Sequence, residues 1–141
     1  MLEKNPDTLK VVYKNFPLRS HQMSLPAAEA AMAANDQGRF WDFHDQLFSY
    51  LTSPSKQKLD DKELAQIPVT LGLDMPRFLA SMKNPAIKEL ISRDLREGQK
   101  AGVTGTPTLF INGRKVENRS PQGIQQMIDQ ELQKSQLKSA R

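Results

Sequence analysis

The residues able to do chemistry are few: the chain has two histidines, His21 and His44, and no cysteine among its 141 residues. Without a thiol it forms no disulfide, thiolate metal site or sulfur nucleophile of its own. The histidines fall in a loop and on an aromatic helical face, with no carboxylate at matched helical spacing beyond Asp45, so neither a metal nor a cofactor is expected. No G-x-S-x-G or comparable arrangement accompanies them, which leaves a hydrolytic triad without support. The glycines of GVTGTP (102–107) lack the Lys-Ser/Thr of a phosphate loop and precede a strand-like run instead of opening a helix. What remains is Thr106-Pro107, at the start of that run. A proline there has no N–H to give to a ladder, so an ordinary trans residue is tolerated. The alternative is a cis bond, the minority form, which marks a tight turn presenting its backbone in a fixed way.

The elements that must position this dipeptide can be read from the local pattern. KVVYKNF (10–16) is rich in β-branched and aromatic residues and predicts a strand closed by Pro17. SLPAAEAAMAAN (24–35) predicts an alanine-rich helix with Ser24 as N-cap and Gly38 as its left-handed stop. In the next helix Phe40, His44, Leu47, Phe48 and Leu51 form a stripe expected to face the core. Asp60 and Glu63 suggest a capping box for a helix ending near Gly72, with Pro68 as a kink or early break. Asp74 and Asn84 cap two further helices, the second with Pro85 at its first position and Ile87, Leu90, Ile91 and Leu95 buried. Its charged residues, Asp94 among them, read as a solvated surface. Asn112-Gly113 between 107–111 and 114–117 is a strong hairpin signal, and Ser120-Pro121 opens a last helix with Ile124, Met127, Ile128 and Leu132 on one face.

A length of 141 residues suits one domain with one core. The net charge of +4 comes from interleaved signs except in the basic tail 134–141, so no nucleic-acid partner is expected. No stretch has the length and apolarity of a membrane span, and the first ten residues lack the apolar region of an export signal.

VTGTPTLFING (103–113) resembles the cis-proline loop and following strand of thioredoxin-fold disulfide oxidoreductases, in particular the DsbA-like branch with a helical insertion. KVVYKNFPL (10–18) is similar to that branch's strand after the active-site helix, AAEAAMAANDQGRFWDFHDQLF (27–48) to the start of its insertion, and LGLD (71–74) to a phrase later in it. The likeness runs from about Leu9 to Leu132. It implies an α/β, incomplete thioredoxin-like fold in a single domain, ordered strand, helices, β-hairpin, helix, with the insertion at about 24–102. It implies further that Pro107 is cis, that Thr106 offers its N–H and C=O to a substrate peptide as a short β-augmentation, and that Gly105 admits the partner chain.

The chain departs from the family in lacking the Cys-x-x-Cys motif, whose thiolate carries the exchange chemistry. The family's first strand and that motif's helix are expected to precede Met1, with Leu2–Asn5 as the helix's last turn; these residues alone are then inactive, with no catalytic residue of their own. Without that strand, the edges of 10–16 and 107–111 are exposed, so a homodimer or strand-swapped oligomer is expected. The resemblance implies a peptide or protein substrate for the intact parent and an extracytoplasmic, periplasmic location. The alternative is a non-catalytic peptide- or partner-binding module using the same loop.

Overall fold

A computed structural model describes residues 4–54 and 58–139, with side chains of the last helix described as far as Ser135. Five helices follow one another in the first two thirds: α1 (Ser24–Asn35), α2 (Phe40–Thr52), α3 (Asp61–Thr70), α4 (Met75–Met82) and α5 (Pro85–Lys100). A two-residue hairpin, β1 (Phe110–Ile111) and β2 (Arg114–Lys115), and a long helix α6 (Pro121–Ser139) complete the described elements. Contacts divide the chain into two units, Lys14–Gly102 and the pair of segments Met1–Tyr13 and Val103–Arg141.

The helical unit is organised around α1. Ala27, Ala30, Ala31, Ala33 and Ala34 are all buried, covering more than one face of the helix. Side chains this small let α2, α3, α4 and α5 all pack on the same helix. Phe43, Leu47, Leu64, Ile67, Phe78, Ile87 and Ile91 fill the space between them, with the Phe43 and Phe78 rings stacked at 6.5 Å. Three of the helix starts are fixed by the side chains expected to fix them. Asp60 accepts from the Glu63 N–H at 3.0 Å, Asp74 from Arg77 at 2.9 Å and Asn84 from Ala86 at 3.0 Å. Gly38 and Gly72 end their helices at φ 71° and 65°. Pro68 lies inside α3, which continues to Thr70.

Two local expectations are corrected here. Ser24 does not cap α1: the N-cap is Met23, and the Ser24 hydroxyl donates instead to the carbonyls of Leu18 and His21, both at 2.8 Å. In α2 the buried stripe is Phe40, Phe43 and Leu47, while Phe48 and Leu51 are exposed and His44 is half-buried. Apolar residues occupy both stripes of this helix, so periodicity alone does not choose between them.

In the other unit the hairpin pairs Phe110 with Lys115 and Ile111 with Arg114, and the Val116 N–H extends the ladder to the Leu109 carbonyl at 2.9 Å. Asn112 and Gly113 turn the chain at φ 48° and 79°, the double left-handed geometry that suits a two-residue hairpin. Val116 and Ile128 are its buried apolar residues. Arg114 of β2 and Lys134 of α6 both bond Glu131 Oε1 at 2.7 Å, tying hairpin to helix. The early segment of this unit is held by Asn5, whose amide exchanges hydrogen bonds with Gln125 at 3.0 and 3.2 Å.

The expected strand over 10–16 is absent: residues 9–18 have no regular secondary structure, and 10–16 form no ladder with any described residue. Val11, Val12 and Tyr13 are exposed. Their side chains suit a strand, but a strand exists only through a paired neighbour, which residue type does not supply. Part of the expected helix turn at Leu2–Asn5 lies outside the described residues; beyond it, Asn5 accepts from the N–H of Leu9 at 3.1 Å.

Candidate functional site

Residues 103–109 run without regular structure between α5 and β1. The Thr106–Pro107 peptide bond is cis. Two contacts hold the segment. Thr108 Oγ1 donates to the Gly105 carbonyl at 2.7 Å, and Arg119, beyond the hairpin, donates from Nη1 to the Pro107 carbonyl at 2.8 Å. A charged donor on a neutral carbonyl is a strong restraint for one bond.

Thr106, between these two anchored carbonyls, is exposed, and neither its N–H nor its C=O is hydrogen-bonded within the described residues. A Cβ added at Gly105 would meet nothing within 4 Å, so the protein's own packing gives no reason for a glycine there. Beside the segment lies an open cavity of about 320 Å³, lined by 104–108 and by Lys115, Val116, Glu117 and Arg119. Gly105, Thr106 and Pro107, the three residues singled out from the sequence, are thus contiguous in the lining of a single cavity. Its chemistry is that of a backbone donor and acceptor presented to solvent among hydroxyls and charges. It can pair with an extended chain, and no thiol lines it.

The histidines lie elsewhere. His44 Nδ1 is 2.9 Å from Asp45 Oδ1, and its ring lies against Phe48 at 4.6 Å and Trp41 at 5.4 Å on the outer face of α2. Among the described residues no group of three or more His, Asp or Glu is placed to hold a metal ion.

A polar cluster in the helical unit was missed from the sequence. Asp94 is buried at 4% exposure on α5, although its neighbours in the helix are solvated as expected. Its carboxylate accepts from Asn15 twice and from Lys14 Nζ, and Lys14 also bonds Glu97 Oε2, at distances of 3.0–3.1 Å. Burial pushes the Asp94 carboxyl up, but the bonds from the Asn15 N–H, Lys14 and the Asn15 amide outweigh it and hold the group below the usual carboxylate range. The Lys14 ammonium is raised by its bonds to Asp94 and Glu97. The signal available was weak: a single acid in line with Ile87 and Ile91 on the helix face.

A family model described as thioredoxin matches residues 1–130. The chain belongs to the thioredoxin family. Two solved thioredoxin-like structures superpose on it over most of its length. One, a thioredoxin-like oxidoreductase from Silicibacter pomeroyi DSS-3, is 28% identical with a TM-score of 0.72, covering 87% of this chain and 68% of that one. The other, the thiol-disulfide exchange protein alpha-DsbA2 from Wolbachia pipientis, is 25% identical with a TM-score of 0.75, covering 89% and 67%. The thioredoxin-like, DsbA-like fold expected from the sequence is therefore established, in a form whose described sheet has two strands.

This thioredoxin-family stretch also matches larger proteins. The Na(+)/H(+) antiporter NhaA of Herminiimonas arsenicoxydans is 34% identical over 110 residues, which is 78% of this chain but 17% of the antiporter. The chain spans about a sixth of the length of such relatives. No helix among the described residues is long and apolar enough to cross a membrane.

Proposed function

We propose that these residues form the peptide-holding part of a DsbA-like protein disulfide oxidoreductase, with the redox thiols supplied from outside the 141 residues. The observation that carries this reading is the exposed backbone of Thr106, unpaired among the described residues and placed between anchored carbonyls at the rim of a cavity in a thioredoxin-family chain. An extended substrate segment pairs with that N–H and C=O as an added strand, and Gly105 leaves room for its approach. Residues 24–102 act as an insertion within this one domain, and the working protein belongs to an oxidising, extracytoplasmic compartment. The exposed side chains of Val11, Val12, Leu109 and Phe110 favour self-association into a homodimer or strand-swapped oligomer. A monodisperse monomer in light scattering would remove that part of the reading.

The test of the main claim is titration with an unfolded, cysteine-free peptide. Thr106→Pro removes the N–H donor at the rim and is expected to abolish binding; undiminished binding by that variant overturns the pairing role. A second reading, a non-catalytic partner-binding module, is favoured by the recurrence of this stretch inside proteins named for another activity. Reading the coding frame ahead of Met1 separates the two. A Cys-x-x-Cys segment there supports the oxidoreductase, and its absence passes the lead to the binding module.

A further inference from the structure

We propose that the cavity beside Thr106 takes one carboxylate of the bound peptide, a preference that rests on reading Thr106 as the pairing residue. Side chains along β2 and its continuation alternate. Val116 is buried at 4% exposure, Lys115 and Glu117 on either side of it are exposed, and all three line the cavity. Lys115 makes no ion pair among the described residues, and neither do Glu117 and Arg119. Arg119 uses one guanidinium N–H on the Pro107 carbonyl and retains further donors in its planar fork at the same wall.

A chain paired with Thr106 projects its neighbouring side chains alternately to either side, so one of them faces this wall. There it meets two cations and one carboxylate. The surplus positive charge favours an acidic group, while Glu117 disfavours a second one close by. The selected ligand is therefore a peptide with a single acid beside the paired position, rather than an acid-rich segment.

Fluorescence anisotropy with short labelled peptides tests this. The probes share one backbone and carry glutamate, glutamine or lysine next to the central residue with both ends capped; a fourth is the glutamine peptide with its terminal carboxylate free. The wild-type chain should bind the glutamate peptide about threefold more tightly than the glutamine one, as befits exposed charges, and added salt should erase the gap. Lys115→Glu, an exposed change, should level or reverse the order. Equal gain from the free-terminus peptide supports the cavity as a carboxylate site and assigns it to chain ends; gain from glutamate alone assigns it to side chains. Equal affinity for capped glutamate and glutamine peptides, with Thr106→Pro abolishing both, overturns the charge preference and leaves the pairing reading intact. Absence of any Thr106-dependent binding overturns both.

Discussion

Asp94 and Asn15 are joined twice through a single oxygen: Asp94 Oδ2 accepts from the Asn15 main-chain N–H at 3.1 Å and from the Asn15 side-chain amide at 3.0 Å. The two residues are 79 positions apart in sequence, so the pair fixes the start of the helical unit against its last helix. Asn15 is only 2% exposed, and water cannot replace the carboxylate if it is removed. Asp94→Ala is expected to cost about 3 kcal/mol in urea denaturation, since it strands buried donors as well as deleting a charge. Asp94→Asn keeps an acceptor oxygen and should lose roughly half of that. Equal midpoints for Asp94→Ala and the wild type would show that the pair contributes nothing net.

Stability should fall on acidification, with a sign set by two carboxylates. Glu131 is lowered from 4.5 to about 2 by hydrogen bonds from Lys134 and Arg114, and Asp94 is lowered as well. A carboxyl group held below its unfolded value adds stability that is present above that value and lost as pH falls toward the folded one. The denaturation midpoint should therefore drop as pH decreases from about 4.5 toward about 2, and Glu131→Gln should flatten part of the slope. Lys14 acts at the other end: its raised value gives stability that is full below 10.5 and lost as pH climbs beyond it. A midpoint that stays constant below pH 4.5 would contradict this account.

What the sequence disclosed and what it withheld divide along the range of the interactions involved. Asp60, Asp74, Asn84 and the Asn112-Gly113 turn were legible because a cap or a hairpin turn is completed within three residues of itself. The strand expected over 10–16 failed for the opposite reason, since its existence depends on a partner that residue type does not name. Asp94 looked solvated because charges surround it along the chain; Asn15 and Lys14, far away in sequence, make its burial tolerable. Of the candidate site, the position of Thr106 was legible through the resemblance, whereas the Arg119 anchor and the Lys115 wall required the hairpin to be placed.

Two glycines should respond to alanine for different reasons. Gly113 sits at φ 79° with open space around it, so Gly113→Ala is expected to cost about 1 kcal/mol through backbone conformation alone. Gly123, in the first turn of α6, has no such excuse, and helix propensity would favour alanine by up to about 1 kcal/mol. A Cβ there, however, falls 2.4 Å from Asn118 Cγ and 2.6 Å from the Asn118 carbonyl oxygen. The Asn118 side chain is engaged as acceptor for the Ser120 N–H at 3.1 Å and cannot simply swing away. Overpacking of this kind costs about 1–3 kcal/mol, so the clash wins and Gly123→Ala should lower the melting temperature. A raised melting temperature would mean that the helix start has room to shift.

Arg119→Ala should separate local order from global stability. The residue is exposed and its one described bond goes to the Pro107 carbonyl, so the loss in unfolding free energy should stay near about 1 kcal/mol. Backbone order at Gly105, Thr106 and Thr108, read by NMR relaxation, should nevertheless fall, with the rest of the hairpin unchanged. Unaltered order in that segment would show that Thr108 and the turn hold it without Arg119.

The division of the chain has a consequence for the order of events as it folds. Lys14–Gly102 is continuous, and its helices gather on α1, so its contacts close within one stretch of chain. The other unit joins its two segments across everything between them, with Asn5 finding Gln125 at a separation of 120 residues. For a loose chain that closure carries an entropic cost growing with the length of the loop. Once the helices between have gathered, the effective loop is far shorter, so the segment carrying Thr106 is expected to reach its final geometry last, after the helical unit has brought its ends within range.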